Sequence, residues 1–317
     1  MKIIDFTAAH IEQAAQIAKQ NYNDERKAVA VLPLISAVPD LTSFAENGLG
    51  VVAFDDGEVV GFLCAVGPFK NAFRSTDAVG VFSPMGASGA LGSKRAEAYA
   101  RMYQAAGEKW VKAGASSHAV CLYAHDKEAQ EQFFRYGFGM RTVDAIRGVD
   151  EIEVPPCERY DFSELPAEEI LSVLPLENIL DEGYITSPFF MFREKETEAE
   201  FLKKYKHFRS VYVIAKHQNK IVAFMRAELD GENFICATPG YLHVKGAYCL
   251  PEHRGKGVNN VLLNMLIQKL KERGYTRLGV DFESINPSGS RFWLKYFDAY
   301  TYGVVRRIDE YAIIKSH

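Results

Sequence analysis

The chain has 317 residues, 48% of them hydrophobic and 25% charged, with 24 Gly and 12 Pro. These values exclude a disordered, collagen-like or fibrous chain, and at roughly 100–200 residues per domain the length fits two domains or one large one. A formal net charge of −4 leaves no excess positive field for nonspecific binding to nucleic acid or anionic membrane. In chain order, residues 2–6 read as a short strand and 10–27 as a helix, with Ile11, Ala14, Ala15, Ile17 and Ala18 gathered on one side. Segments 50–54 and 58–66 read as a hairpin turning at Asp55-Asp56-Gly57. Residues 78–83 form a strand, 93–112 a long helix, 119–124 a strand, 127–136 a helix and 139–147 a strand. Val154-Pro155-Pro156 marks a linker, because Pro-Pro continues neither a helix nor a sheet interior. Helices follow near 166–174 and 196–207, then a hairpin of 211–216 with 220–229 and a strand over 241–250. Helix 257–273, strand 277–283, helix 288–297 and strand 302–308 complete the chain.

The order of elements occurs twice, and an offset of 160 residues aligns it. This offset pairs Gly114 with Gly274, each just past a long helix, where a left-handed cap favours glycine. It also pairs Val120 with Val280, Phe134 with Leu294 and Arg147 with Arg307. The expected fold is α/β, with a mixed sheet in each of two tandem copies. The expected boundaries are 1–150 for the first domain, 151–160 for the linker and 161–317 for the second domain.

The most informative segment is Cys249-Leu250-Pro251-Glu252-His253-Arg254-Gly255-Lys256-Gly257-Val258-Asn259-Asn260. A strand ends, a short basic loop follows, and a helix begins with apolar residues at Val258, Val261, Leu262, Met265, Leu266 and Leu270. Glycines let backbone approach a ligand closely, and the first N–H groups of the helix lack intrahelical partners. Such a site favours an anion, a pyrophosphate in particular. Gly257 stands where a nucleoside triphosphatase loop needs Ser or Thr. Gly48-Leu49-Gly50 enters a strand instead of opening a helix, so it is a chance match to a dinucleotide fingerprint.

The strand–P-E-H-R-G-K-G-V–helix pattern resembles the acetyl-CoA loop, R/Q-x-x-G-x-G/A, of the GNAT superfamily of N-acyltransferases. Element order in each half is also similar to that fold. The resemblance implies that backbone groups of Cys249 and Leu250 contact the thioester and pantetheine. It likewise gives Arg254, Gly255, Lys256, Gly257, Val258 and Asn259 to the pyrophosphate, and Asn286 to the pantetheine arm. Asn259 stands where the family has Gly or Ala, and Trp293 where it has Tyr. An indole does not supply a labile proton, so Tyr296, three residues on, is the candidate donor to the departing CoA thiolate. His243, on the loop-bearing strand, and Glu283, at the end of the next, are the candidate bases, and Asp281 shares a strand face with Glu283. In the first half the same register places Lys94 for Arg254, Asp126 for Asn286 and Glu97 for Gly257, so this copy is expected to be degenerate.

The implied reaction is transfer of an acetyl group from acetyl-CoA, as cosubstrate, to an amine by direct attack in a ternary complex. Two other readings stay open: a non-catalytic acyl-CoA-binding protein, and an aminoacyl transferase acting on peptide precursors. A small-molecule amine acceptor is the expected partner, with no nucleic acid, no membrane and no metal. The five cysteines, Cys64, Cys121, Cys157, Cys236 and Cys249, show no zinc spacing and read as reduced thiols. Asp5, His10 and Glu12 interrupt the N-terminal apolar run, which removes a signal-peptide pattern and makes the cytoplasm the expected location.

Overall fold

The computed structural model describes residues 1–154 and 156–314, so Pro155 of the expected linker lies outside the described residues. Contacts divide the chain into two units, Met1–Asp144 together with the segment from Ala299 onward, and Ala145–Asp298.

The first unit contains β1 (Lys2–Asp5), α1 (Ile11–Ala28), α2 (Thr42–Glu46), β2 (Val51–Asp55), β3 (Glu58–Leu63), β4 (Val66–Phe69) and β5 (Gly80–Ser83). It continues through β6 (Ser88–Ala90), α3 (Arg95–Lys112), β7 (Ser117–Tyr123), α4 (Lys127–Arg135) and the start of β8 (Gly139–Gly148). One sheet has the order β1-β2-β3-β6. Its first hairpin turns with Asp56 at φ +48° and Gly57 at φ +88°, the paired left-handed residues that a tight two-residue turn requires. Helix α1 buries Ala14, Ile17, Ala18 and Tyr22, while α3 buries Tyr99, Met102, Tyr103 and Trp110. Trp110 also donates to the Leu49 carbonyl at 3.0 Å, so this deeply buried indole keeps its polar atom satisfied.

The second unit contains β9 (Asp161–Glu164), α5 (Leu174–Gly183), α6 (Glu198–Phe208), β10 (Val211–His217), β11 (Lys220–Glu228) and β12 (Tyr241–Cys249). Then come α7 (Val258–Glu272), β13 (Arg277–Glu283) and α8 (Pro287–Tyr296); β14 (Asp298–Arg307) and α9 (Glu310–Ile314), at the end of the chain, belong to the first unit from Ala299 onward. Its sheet has the order β13-β12-β11-β10-β9. The β12–β13 pair is parallel and the other pairs are antiparallel. The helix expected near 166–174 is a 3₁₀ segment, Ala167–Val173, running into α5. Pro175 sits in the first turn of α5, where its missing N–H costs nothing. Helix α7 buries Val258, Leu262, Leu263, Leu266, Ile267 and Leu270, closely the face read from spacing.

The mixed α/β class is the class observed. The boundary of the second domain differs from the expected 161–317, because β14 is built into the first unit. It pairs antiparallel with β7 from Thr301 against Tyr123 through Arg307 against Ser117, and Val304 lies in the first unit's core. Among the described residues, no helix is long and apolar enough to cross a membrane.

Candidate active site

The loop between β12 and α7 holds two left-handed glycines, Gly255 at φ +71° and Gly257 at φ +80°. An L side chain is strained at either, which explains R-G-K-G in conformational terms. The first N–H of this helix to find a partner is that of Asn260, which donates to the Gly257 carbonyl at 3.0 Å. Among the described residues the N–H groups of 255–259 have no protein acceptor. A concave row of unpaired backbone donors at a helix N-terminus matches a pyrophosphate in charge and hydrogen bonding.

Each expected cofactor residue has a definite place. Arg254 does not point into the loop: its Nε donates to the Cys249 carbonyl at 2.8 Å and its guanidinium lies over Tyr248. It braces the turn. Lys256 Nζ donates to the Glu252 carbonyl at 2.7 Å, which folds its charge back over the loop. Leu250 N–H is taken by the Val222 carbonyl of β11 at 2.9 Å. Burial pushes the Cys249 thiol up to about 11, so it is no nucleophile at neutral pH. Val258 is buried beneath the loop, and Asn259 Oδ1 is buried with no hydrogen-bond partner among the described residues. Asn286 caps α8, its Oδ1 accepting from Gly289 N–H at 2.9 Å and from Ser288 Oγ at 3.0 Å.

Trp293 is buried between Phe292 and Phe297. Tyr296 instead reaches the first turn of α7, where its Oη accepts from Asn260 Nδ2 at 2.9 Å. The structure therefore joins Tyr296, but not Trp293, to the loop through a polar contact.

The strands beside the loop part from one another. Parallel pairing of β12 with β13 ends at Val244 against Val280, although β12 runs on to Cys249 and β13 to Glu283. Lys245 is an extra residue in the β11–β12 register, between Gly246 opposite Arg226 and Val244 opposite Ala227. Such a bulge turns a strand's backbone out of its ladder. At the closed end of this wedge His243 is fully buried and donates from Nε2 to Asp281 Oδ1 at 2.7 Å. Lys245 Nζ donates to the same oxygen at 3.1 Å. Burial raises the Asp281 carboxyl, but His243 and Lys245 hold it well below the usual range. Glu283 closes β13 and is partly exposed. Tyr184, under the stacked guanidinium of Arg193, feels the charges of Glu283 and Asp281.

Alternation along β12 places Tyr241 and Lys245 on the same face as His243. Cys236, in a 3₁₀ turn at Phe234–Ala237, carries no local sequence signal. Its link to His243 is wholly tertiary.

The first unit departs from the second in a way the offset misplaced. Helix α3 starts at Arg95, one turn before the position matching Val258. Glu97 is therefore inside the first turn, paired with Arg101 at 2.8 Å, and does not occupy the capping position. The charged side chain that fills this region of the first unit is that of Arg95. Its guanidinium pairs with Asp126 at 2.5 Å, donates to Asn21 Oδ1 at 3.0 Å and reaches the Ala90 carbonyl. By hydrogen-bond register Ala90 matches Cys249, since Leu91 N–H is taken by the Val60 carbonyl as Leu250 N–H is by that of Val222, and Asp126 caps α4 as Asn286 caps α8; in the first unit Arg95 ties these two positions together. Glu97→Gly is thus expected to confer no acetyl-CoA binding on a Gly257→Glu chain. A calorimetric titration that regained saturable heat would make Glu97 the obstruction.

Residues 177–298 match the acetyltransferase (GNAT) family model. A GCN5-related N-acetyltransferase from Sphaerobacter thermophilus is 12% identical, with 96% of this chain and 95% of that chain covered at a TM-score of 0.57. A GNAT-family acetyltransferase from Colwellia psychrerythraea is 12% identical, covering 98% and 100% at a TM-score of 0.47. A tandem GNAT protein from the clavulanic acid biosynthesis pathway is 13% identical, covering 96% and 98% at 0.43. No curated protein matches the chain in sequence. The Sphaerobacter likeness establishes the GNAT fold over nearly the full chain, and the family match lies in the half that carries the loop.

Proposed function

We propose that this chain, which carries a GNAT acetyltransferase domain over residues 177–298, moves an acetyl group from acetyl-CoA to an amine. The observation that carries the reading is the row of unpartnered N–H groups at 255–259, set by two left-handed glycines. Those donors and Lys256 would hold the pyrophosphate, with the Arg254 side chain fixing the turn that presents them. Cys249, Leu250 and Asn286 border the path of the pantetheine arm, and the orphaned Asn259 Oδ1 offers an acceptor there. Acetyl-CoA supplies the activated acyl group. By the family resemblance, the amine attacks the thioester in a ternary complex.

Two proton transfers accompany amide formation. Glu283 is partly open and takes the proton of the incoming ammonium. His243 has both ring nitrogens engaged, so it acts through its neighbours. Tyr296 gives its proton to the departing thiolate. Tyr296→Phe is expected to lower kcat by about 100- to 10,000-fold, in keeping with loss of a general acid, with acetyl-CoA affinity nearly unchanged. A larger change in affinity than in kcat would make Tyr296 a binding residue.

Calorimetry with acetyl-CoA, followed by thiol release over a panel of amines, tests the reading. Saturable binding with amine-dependent release supports it, and binding without release favours a non-catalytic acyl-CoA-binding protein. Absence of binding removes both.

A further inference from the structure

The Cys236 thiol lies 3.8 Å from His243 Nδ1 and 3.5 Å from Tyr241 Oη. His243 Nε2 donates to Asp281, so the Nδ1 lone pair of the neutral ring faces the thiol and the Tyr241 hydroxyl, which is 2.9 Å away. Nucleophile, base and orienting carboxylate therefore stand in the order that activates a thiol. Two glycines clear the space. A Cβ at Gly231 would stand 2.2 Å from Cys236 Sγ, and one at Gly279 would stand 1.7 Å from Tyr241 Oη and 2.9 Å from His243 Nδ1. Neither glycine is left-handed, so what their positions demand is the missing side chain.

Burial raises the Cys236 thiol, but the hydrogen bond and charge of His243 outweigh it and the net shift is downward. Burial lowers His243, while Asp281 and Cys236 together raise it to about 9. Both shifts favour a thiolate–imidazolium pair, in which Tyr241 donates to the sulfur. Cys236 is partly exposed, and the cluster borders the point where β12 and β13 separate beyond Val244 and Val280.

We propose that Cys236 is an acylation site of this chain, taking the acyl group from an acyl-CoA thioester. The inference rests on the reading of the second unit as acyl-CoA-dependent. The Cys236 thiolate attacks the carbonyl carbon, a bond forms to its sulfur, and the bond to the CoA sulfur breaks. CoA departs as the thiolate and takes the proton of His243 Nδ1, and no electrons are exchanged. This acylation is separate from the direct transfer in the ternary complex, where Tyr296 protonates the departing CoA thiolate, and it proceeds when no amine is bound.

The test is incubation of the intact chain with acetyl-CoA and no acceptor, an acid quench, and peptide mass spectrometry. The expected product is one acetyl group on the peptide containing Cys236, removed by neutral hydroxylamine. Cys236→Ala should bind acetyl-CoA normally in calorimetry and form no adduct. His243→Asn should keep binding and slow acylation at least 10-fold. A wild-type chain that binds acetyl-CoA yet stays unmodified overturns the proposal, as does an adduct that persists in Cys236→Ala. If acetyl-CoA does not bind, the donor reading is what fails, and p-nitrophenyl acetate, which needs no CoA site, judges the cluster. Acetylation of Cys236 by that ester supports the proposal, and an unmodified Cys236 overturns it.

Discussion

Gly257→Glu is expected to reduce the heat of acetyl-CoA titration to that of dilution. Gly257 precedes α7 at φ +80°, and an L side chain there meets a left-handed penalty of about 1–2 kcal/mol. The electrostatic effect is larger. The new carboxylate would stand beside the unpartnered N–H groups of 255–259, and its repulsion of a phosphate charge at 4 Å and intermediate dielectric is about 4 kcal/mol. The two contributions together reach about 5–6 kcal/mol, a loss of affinity of roughly 4,000- to 20,000-fold. Gly257→Ala carries the backbone strain without the charge and should lose only about 10-fold. Equal losses in the two variants would assign the effect to strain. Unchanged affinity in Gly257→Glu, with circular dichroism confirming the fold, would place acetyl-CoA elsewhere.

The features legible in the sequence are those fixed by local backbone chemistry. Asp56-Gly57 announced a tight hairpin because both residues must be left-handed, and both are. Gly114 and Gly274 marked helix ends and take φ values of +84° and +79°. Gly255 and Gly257 identified the loop for the same reason. What stayed hidden depends on which distant segment a residue meets. Strand β14 has the same pattern whichever sheet it joins, so the sequence could not assign it to β7. The helix read over 93–112 lies at Arg95–Lys112, but the 160-residue offset sets Glu97 against Gly257 because the helix of the first copy has one more turn at its N-terminal end, which puts Glu97 away from the cap. Cys236 lies in a short 3₁₀ turn with no periodicity, and its value comes from His243 and Asp281 on two neighbouring strands. Arg226 resisted for another reason: in a run of β-strand residues it reads as a solvent-facing charge, yet it is buried.

That burial underlies the largest expected loss of stability, about 3–5 kcal/mol for Arg226→Met, the usual cost of breaking a buried ion pair from one side. Arg226 is 5% exposed, Glu177 5% and Glu228 2%. Its Nη1 lies 3.2 Å from Glu177 Oε1, and its Nε lies 3.6 Å from Glu228 Oε2. Nη1 also donates to Tyr212 Oη at 3.2 Å, and Nη2 donates to the Lys245 carbonyl at 3.1 Å. The guanidinium thus neutralises two buried carboxylates and holds the bulge at the apex of the β12–β13 wedge. Removing it should disturb the site as well as the fold. Burial raises the Glu177 carboxyl even with Arg226 beside it, so without Arg226 the folded state takes up protons that the unfolded state releases. Stability of the variant then rises as pH falls, because the folded state binds more protons. Denaturant unfolding at about pH 8 and about pH 5 should show the deficit shrinking at the lower pH. Adding Glu177→Gln should recover part of the loss at the higher pH, where that carboxylate is most costly. A deficit equal at both pH values would mean that the Glu177 carboxylate remains charged without Arg226, with water replacing the guanidinium. Arg226 would then hold the bulge by hydrogen bonding to Lys245 alone.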